Sequence, residues 1–395
     1  MQNPSDLFQQ RLREVANYYQ QGDVTLGYRR LMDAALDTND TNIFNAVTAH
    51  TEWIETTNPT DAENWVKSTL LLEKISLAGL KTQKQSGEDI LLAQGVKKTY
   101  ANGVFSLGPV DVSLKRGELL GLVGENGNGK TTLLRILAQE LRNDEGTIAY
   151  YLPKNNSQYD LRSQLAYIPQ RTPKWYGPLK DNLKFTLACY AVKGEANESL
   201  VLMLIARMGL WKYRNLDWNQ LSSGYKMRFE LARTFLRRPD ILLLDEPLAN
   251  LDVLAQQTIL EDLKTLSNSL SSPMAVILSS QQLYEVEKVS DKVLFLKNGQ
   301  PLWQNNTAEH DETEQEERPT GLIVEFETEA SRDELQSALS GLLLEKISFN
   351  GGSYIVHFDT PTSMPQLLTA LGNAGINVIY IRNISKSTRR FFVSQ

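Results

Sequence analysis

Gly124-Glu125-Asn126-Gly127-Asn128-Gly129-Lys130-Thr131-Thr132 follows the spacing G-x-x-x-x-G-K-[ST]. Before it runs Leu119-Leu120-Gly121-Leu122-Val123, an apolar stretch that reads as a buried strand. After it, Leu133, Leu134, Ile136 and Leu137 recur at helical spacing. A loop between strand and helix wraps backbone N–H groups around a polyphosphate, and the helix N-terminus adds partial positive charge. The glycines let the backbone come close, Lys130 reaches the β and γ oxygens, and Thr131 holds Mg²⁺. Every residue from Gly124 to Thr132 is therefore a candidate phosphate contact.

Downstream, Ile241-Leu242-Leu243-Leu244-Asp245-Glu246-Pro247 is an aliphatic strand ending in two acids. A continuous aliphatic run is the mark of a parallel strand buried on both faces. Ligands of such sheets bind beyond the carboxyl ends of the strands. Asp245 is thus placed to orient Mg²⁺, and Glu246 to take a proton from an attacking water.

Between these two motifs lies Leu221-Ser222-Ser223-Gly224-Tyr225, followed by a helix with Met227, Leu231 and Phe235 on one side. With it the chain resembles the ATP-binding-cassette (ABC) ATPases, most of all the ATP-binding subunits of ABC exporters. Their signature reads L-S-G-G-Q, of which Leu221, Ser222 and Gly224 are kept. Other family marks fall in order. Tyr100 matches the aromatic that stacks on adenine, Gln170 in Ile168-Pro169-Gln170 the Q-loop, and Leu248-Ala249-Asn250-Leu251-Asp252 the D-loop. The resemblance runs from about Asp89 to about Asn305. It implies ATP and Mg²⁺ as ligands and Glu246 as general base. It also implies that Gln170 senses the γ-phosphate and its metal alongside Thr131 and Asp245. Ser222 and Gly224 would contact the nucleotide of a second cassette, in a homodimer or a heterodimer.

Two departures stand out. Ser223 and Tyr225 replace the usual Gly and Gln of the signature. The family's switch histidine should follow Ala275-Val276-Ile277-Leu278-Ser279-Ser280, but that position is Gln281. The histidines are His50, His310 and His357, so none lies in the cassette. Gln281 can donate a hydrogen bond to a γ-phosphate but carries no charge. Slow hydrolysis is expected, with ATP binding alone as the competing expectation.

The 395 residues suggest two or three domains. A hydrophobic content of 41% with 22% charged residues suits a folded soluble protein. The net charge of −6 offers no basic field, so no nucleic-acid partner is expected. The single cysteine, Cys189, excludes an internal disulfide, suits a reducing cytosol and reads as a small core side chain. No run of 18 apolar residues and no secretion signal are seen, so any pore must belong to another chain. The resemblance places the protein on the cytoplasmic face of a membrane, partnered by an integral membrane permease. A soluble ABC ATPase acting on a non-membrane partner is the alternative.

The rest of the chain brackets the cassette. Residues 1–85 read as four helices, the last opened by the capping box Thr60-Asp61-Ala62-Glu63 and carrying Trp65, Leu70 and Leu72. They form either a docking module or a structural cap. Residues 88–308 hold the cassette, with a helical insert at about 171–220 that the resemblance places against the membrane partner. Glu309 to Arg318 is an acidic linker. Residues 320–395 read β-α-β-β-α-β, with Asn350-Gly351 as a hairpin signal, and suggest a ferredoxin-like α+β domain. His357 reads as structural. The whole is a P-loop α/β cassette between a helical module and an α+β domain.

Overall fold

The computed structural model describes residues 4–81, 86–100, 105–153, 157–306, 321–350, 352–359 and 361–385. The acidic linker with His310, and Gly351 of the hairpin, lie outside them. Residues 1–307 gather into one compact unit and 308–395 into a second.

The first unit opens with α1 (Pro4–Gln20), α2 (Val24–Thr38), α3 (Thr41–Thr57) and α4 (Asp61–Ala78). Local chemistry sets their ends. Asp23 and Asp40 accept the free amides of Leu26 and Asn42, Thr60 and Glu63 form the expected capping box, and Asn39 and Asn58 close α2 and α3 in the left-handed conformation. Phe8, Leu12, Val15 and Tyr19 turn inward from α1 as their spacing requires. Of the three large residues expected on α4, Trp65 and Leu72 pack partly buried against the core. The fully buried face of the helix is Asn64, Ser68, Leu71 and Ile75, while Leu70 is exposed. Polar residues turn inward because partners wait there: Asn64 and Ser68 contact His50 Nε2 at 3.0 and 3.3 Å, and Ser68 meets Tyr19 Oη at 2.9 Å.

The cassette follows. An antiparallel lobe is built from β1 (Asp89–Thr99) and β2 (Ser106–Lys115), completed later in the chain. β3 (Leu119–Val123), buried throughout, leads into α5 (Lys130–Leu137). β4 (Glu145–Tyr150) joins the lobe in the order β2-β1-β4. Then come α6 (Gln158–Gln164), β5 (Leu165–Ile168), and the insert helices α7 (Leu179–Ala188) and α8 (Gly194–Arg207). α9 (Ser223–Leu236), β6 (Ile241–Leu244), α10 (Val253–Ser267), β7 (Ala275–Ser280), α11 (Leu283–Val289), β8 (Lys292–Lys297) and β9 (Gln300–Asn306) complete it. The main sheet runs β5-β6-β7-β3-β8-β9, parallel except for β9. The first four helices and the cassette share one apolar core that includes Leu31, Val47, Met203, Leu231 and Leu263.

Cys189 corrects an expectation. It is exposed at the C-cap of α7. The buried positions of that helix are Leu179, Leu183, Thr186 and Leu187, and Cys189 falls off their stripe.

The second unit contains β10 (Ile323–Thr328), α12 (Arg332–Ala338), β11 (Leu344–Asn350), β12 (Ser353–Phe358), α13 (Met364–Asn373) and β13 (Val378–Asn383). Its antiparallel sheet has the order β11-β12-β10-β13. The element order is the one read from the sequence. Capping boxes at Ser331/Glu334 and Ser363/Gln366 start the two helices. Leu335, Leu339, Leu367 and Leu371 pack on Val324, Phe326 and Val356. His357 lies in β12, and burial together with the Lys346 charge lowers its pKa.

Candidate functional site

In the main sheet β7 separates β3 from β6, so the carboxyl ends of β3 and β6 open on either side of one strand end. The loop after β3 is shaped by close packing. A Cβ on Gly124 would stand 2.4 Å from the Leu296 carbonyl oxygen, and Gly129 holds φ at 96° against Phe105 and Leu107. Gly129 is also the N-cap of α5 and has no side chain to close over the first amides of that helix. Those donors are left for a ligand.

Lys130 is buried at the start of α5. Its Nζ donates to Gly124 O at 2.5 Å and Glu125 O at 3.1 Å, and lies 3.0 Å from Glu246 Oε1. The last contact is an ion pair without hydrogen-bond geometry. Thr131 Oγ1 donates to the Asp245 carboxylate at 2.9 and 3.1 Å. Ser279 Oγ donates to Asp245 Oδ1 at 2.9 Å and accepts from the Glu246 amide at 2.9 Å. Tyr167 Oη reaches Asp245 Oδ2 at 3.4 Å, and burial, with the Asp245 charge, raises the Tyr167 pKa. Glu246 sits at φ 49°, a left-handed conformation that costs a non-glycine residue about 1 kcal/mol or more.

Lys130, Thr131 and Glu246 border a cleft of about 270 Å³, with Asp245, Ser279 and Tyr167 behind its lining. Lys130, Thr131, Gln170 and Glu246 line its chemical end, and Tyr100 and Phe105 its aromatic end. Glu125, Asn126, Gly127, Gly129 and Thr132 form the wall between, with Tyr100 Oη 3.3 Å from Thr132 Oγ1. A hydroxyl beside a carboxylate is a hard-oxygen pair suited to Mg²⁺, and an ammonium beside open helix amides suits an anion. The donor set therefore fits a magnesium–triphosphate.

Other candidates lie apart from the cleft. Gly124 packs against Leu296, and Asn128 is buried with its Oδ1 accepting from the Asn298 amide. Ser222 caps α9, accepting from the Tyr225 amide at 3.4 Å, and Ser223 Oγ donates to Asn250 O at 3.0 Å. Gly224 lies against Ala255 and Leu251. The signature and the D-loop thus pack together, and neither Ser222 nor Gly224 lines this cleft. Gln281 is exposed just past β7, also outside the lining. Among the described residues, no group of three or more His, Cys, Asp and Glu is disposed to hold a metal. No helix among them is long and apolar enough to cross a membrane.

Sequence reasoning missed Ser279, Phe105 and Tyr167. Ser279 carried a signal, since a hydroxyl ending an otherwise aliphatic strand needs a buried partner. Phe105 carried no signal, since neither its spacing nor its residue type ties it to Tyr100.

A family model described as "ABC transporter" matches residues 107–249. The lantibiotic transport ATP-binding protein SrtF of Streptococcus pyogenes is 30% identical over 212 residues, 53% of this chain and 88% of that protein. The spermidine/putrescine import ATP-binding protein PotA of Mesoplasma florum is 33% identical over 218 residues, 53% of this chain and 60% of the other. The chain thus spans about three fifths of the length of the PotA relatives it matches. Among solved structures, that of cbiO1 from Clostridium perfringens, part of the ABC transporter complex cbiONQ, aligns with a TM-score of 0.51. It is 24% identical and covers 56% of this chain and 89% of its own, a likeness of fold.

Proposed function

Since the chain belongs to the ABC transporter family of ATP-binding cassettes, we propose that it binds and hydrolyses MgATP and drives a separate membrane permease. The observation that carries this reading is that Lys130, Thr131 and Glu246, from two strand ends, line one cleft, with Asp245 hydrogen-bonded to Thr131.

In this reading Lys130 and the first amides of α5 hold the β- and γ-phosphates, and the nucleotide base lies toward Tyr100 and Phe105. Thr131 and Asp245 hold Mg²⁺, which when bound neutralises charge on the phosphate oxygens. Glu246 accepts a proton from water as the water oxygen attacks the γ-phosphorus. The bond from that phosphorus to the β-phosphate oxygen breaks, leaving ADP and phosphate. Glu246 is paired with Lys130, and a γ-phosphate competes for that ammonium, which frees the carboxylate for its role as base. Gln170, which lines the same cleft, senses the γ-phosphate and metal in this reading.

Ser222 and Gly224 do not line their own cleft, which supports a second cassette whose nucleotide they contact. Tyr176, Phe185 and Tyr190 are exposed on or beside α7, and this aromatic surface suits a membrane partner at the cytoplasmic face. Gln281, uncharged where the family has histidine, favours slow turnover, and in the extreme a cassette that binds ATP without hydrolysing it.

Calorimetry with MgATP, then phosphate release compared with Glu246→Gln, tests the enzyme. Binding with no turnover above that variant sinks the hydrolytic step. Purification from membranes in mild detergent tests the partner, which should be a stoichiometric polytopic chain. Recovery only with soluble partners overturns the transporter role.

A further inference from the structure

The four N-terminal helices take no part in lining the cleft, yet they touch two different parts of the cassette. One is the helical insert. Ser199 Oγ donates to Asn45 Oδ1 at 2.5 Å, and Asn45 Nδ2 donates to Glu195 at 3.1 Å. Glu52 accepts from Trp211 Nε1 at 2.6 Å and from Arg214 at 3.2 Å, and Lys212 pairs with Glu55 at 3.0 Å. The other is the ATPase core. Asp37 accepts from Ser269 Oγ at 2.7 Å and the Ser271 amide at 3.0 Å, and Arg11 donates to Asn268 O at 2.5 Å.

The two sets meet at Arg207, the last residue of α8 and wholly buried. Its Nε donates to Asp33 Oδ1 on α2 at 2.5 Å, and its Nη1 to Asp262 Oδ1 on α10 at 2.6 Å. Arg29 on α2 reaches the same Asp262 oxygen at 2.5 Å. One guanidinium therefore ties the insert, the core and the N-terminal helices. Burial disfavours the Arg207 charge, but Asp262 and Asp33 outweigh it and hold its pKa above the ordinary arginine value. Asp262 is likewise held below the usual carboxylate value by Arg207 and Arg29 against the cost of burial. Charged hydrogen bonds of fixed direction admit far fewer relative orientations than an apolar surface would.

The insert is also linked to the cleft. It follows Gln170 directly, and Trp175 in that connection donates to the buried Glu230 of α9 at 2.6 Å, which Arg233 holds at 2.8 Å. A change at Gln170 thus reaches the insert through its root.

We infer that the N-terminal helices are a brace, with Arg207 as its positioning residue. The brace fixes the angle between insert and ATPase core and limits how far the insert moves when the Gln170 loop responds to nucleotide. The second half of this statement rests on the proposed ATP binding; the first does not.

Two spin labels in the full chain test it. One goes on the native, exposed Cys189 of the insert, the other on Lys288→Cys of α11 in the core. Pulsed electron resonance then reads the distance distribution with and without Mg²⁺ and a non-hydrolysable ATP analogue. The background with the brace intact should give a narrow distribution. In Asn45→Ala/Glu52→Ala, both exposed, it should broaden about two-fold without nucleotide, as in a hinge released on one side, and its nucleotide-induced shift should grow. Asp33→Asn is the second variant, acting at the node itself. A control pair within the core, Arg135→Cys and Lys288→Cys with Cys189→Ser, should keep its width.

An unchanged insert–core distribution in a folded variant overturns the brace, as does equal broadening of the control pair. If calorimetry finds no nucleotide binding, the ATP reading fails, while the widths without nucleotide still decide the brace.

Discussion

Lys130 Nζ stands 3.0 Å from Glu246 Oε1, and both side chains are buried. Each is the other's counter-ion at the chemical end of the cleft, so removing either one is unequal to removing both. Lys130→Met leaves a buried carboxylate with its charge uncompensated and should lower stability by about 3 kcal/mol. Lys130→Met/Glu246→Gln should recover much of that loss. A double-mutant cycle by denaturant unfolding measures the coupling, and additive costs would show that the pair does not interact.

Ser279 should matter more than its size suggests. It holds Asp245 and, through the Glu246 amide, a residue in a left-handed conformation. Ser279→Ala takes one donor from Asp245, which keeps Thr131 and Tyr167, and leaves the buried Glu246 amide without its partner, and should cost about 1–3 kcal/mol. Turnover should fall further than nucleotide affinity, because the base loses its anchor while the phosphate loop keeps its own. An equal loss in both would assign Ser279 to packing alone.

Gln281→His introduces a titratable donor where the chain has a neutral amide. Phosphate release should rise at least about ten-fold, since one such group is commonly worth about 10²–10³ in rate. Steady-state phosphate release with saturating MgATP reads the effect, and an unchanged rate would place the limiting step elsewhere.

His50 gives stability a pH dependence of known sign. Burial holds its imidazole below the ordinary 6.5, and Asn64 only partly offsets this, with the Lys67 charge adding to the lowering. In the fold the ring stays neutral while the unfolded chain protonates. The contribution is therefore complete above pH 6.5 and is lost as pH falls through the depressed native value. His50→Gln should flatten the acid side of the stability curve. His357, with a pKa lowered in the same sense, belongs to the second unit. All six tryptophans precede residue 307, so their fluorescence isolates the first unit.

Arg207→Met tests the three-way node by stability. Asp33 and Asp262 keep Arg30 and Arg29 as neighbours but lose their shared buried cation. The loss should be about 3–5 kcal/mol by denaturant unfolding, the range for breaking a buried ion pair from one side. A cost under about 1 kcal/mol would mean that the remaining arginines suffice.

The phosphate loop and the Asp245-Glu246 strand end were legible because their spacing is chemical and local: a lysine, a hydroxyl and two acids at strand ends admit few other readings. Gln170 was placed by family order, and the structure brings it to the same cleft. Asp33, Arg207 and Asp262 were invisible because charged residues on helices read as solvent-facing. Only the packing of α2 on α8 and α10 makes them interior. On α4 only the exposure of Leu70 was unread, because the fully buried stripe Asn64, Ser68, Leu71 and Ile75 is half polar, its Asn64 and Ser68 meeting His50 and Tyr19. Cys189 misled because one residue of helical phase decides whether a side chain is inside.

The node at Arg207 also orders events in synthesis. Asp33 and Arg207 are 174 positions apart. At about 5–20 residues per second, roughly 10–35 s pass between their emergence from the ribosome. During that interval Asp33 has Arg30 for a partner but not Arg207, and Asp37 has Arg11 but waits longer still for Ser269 and Ser271. The N-terminal helices are therefore among the earliest parts of this unit to be made and among the last to be locked in place.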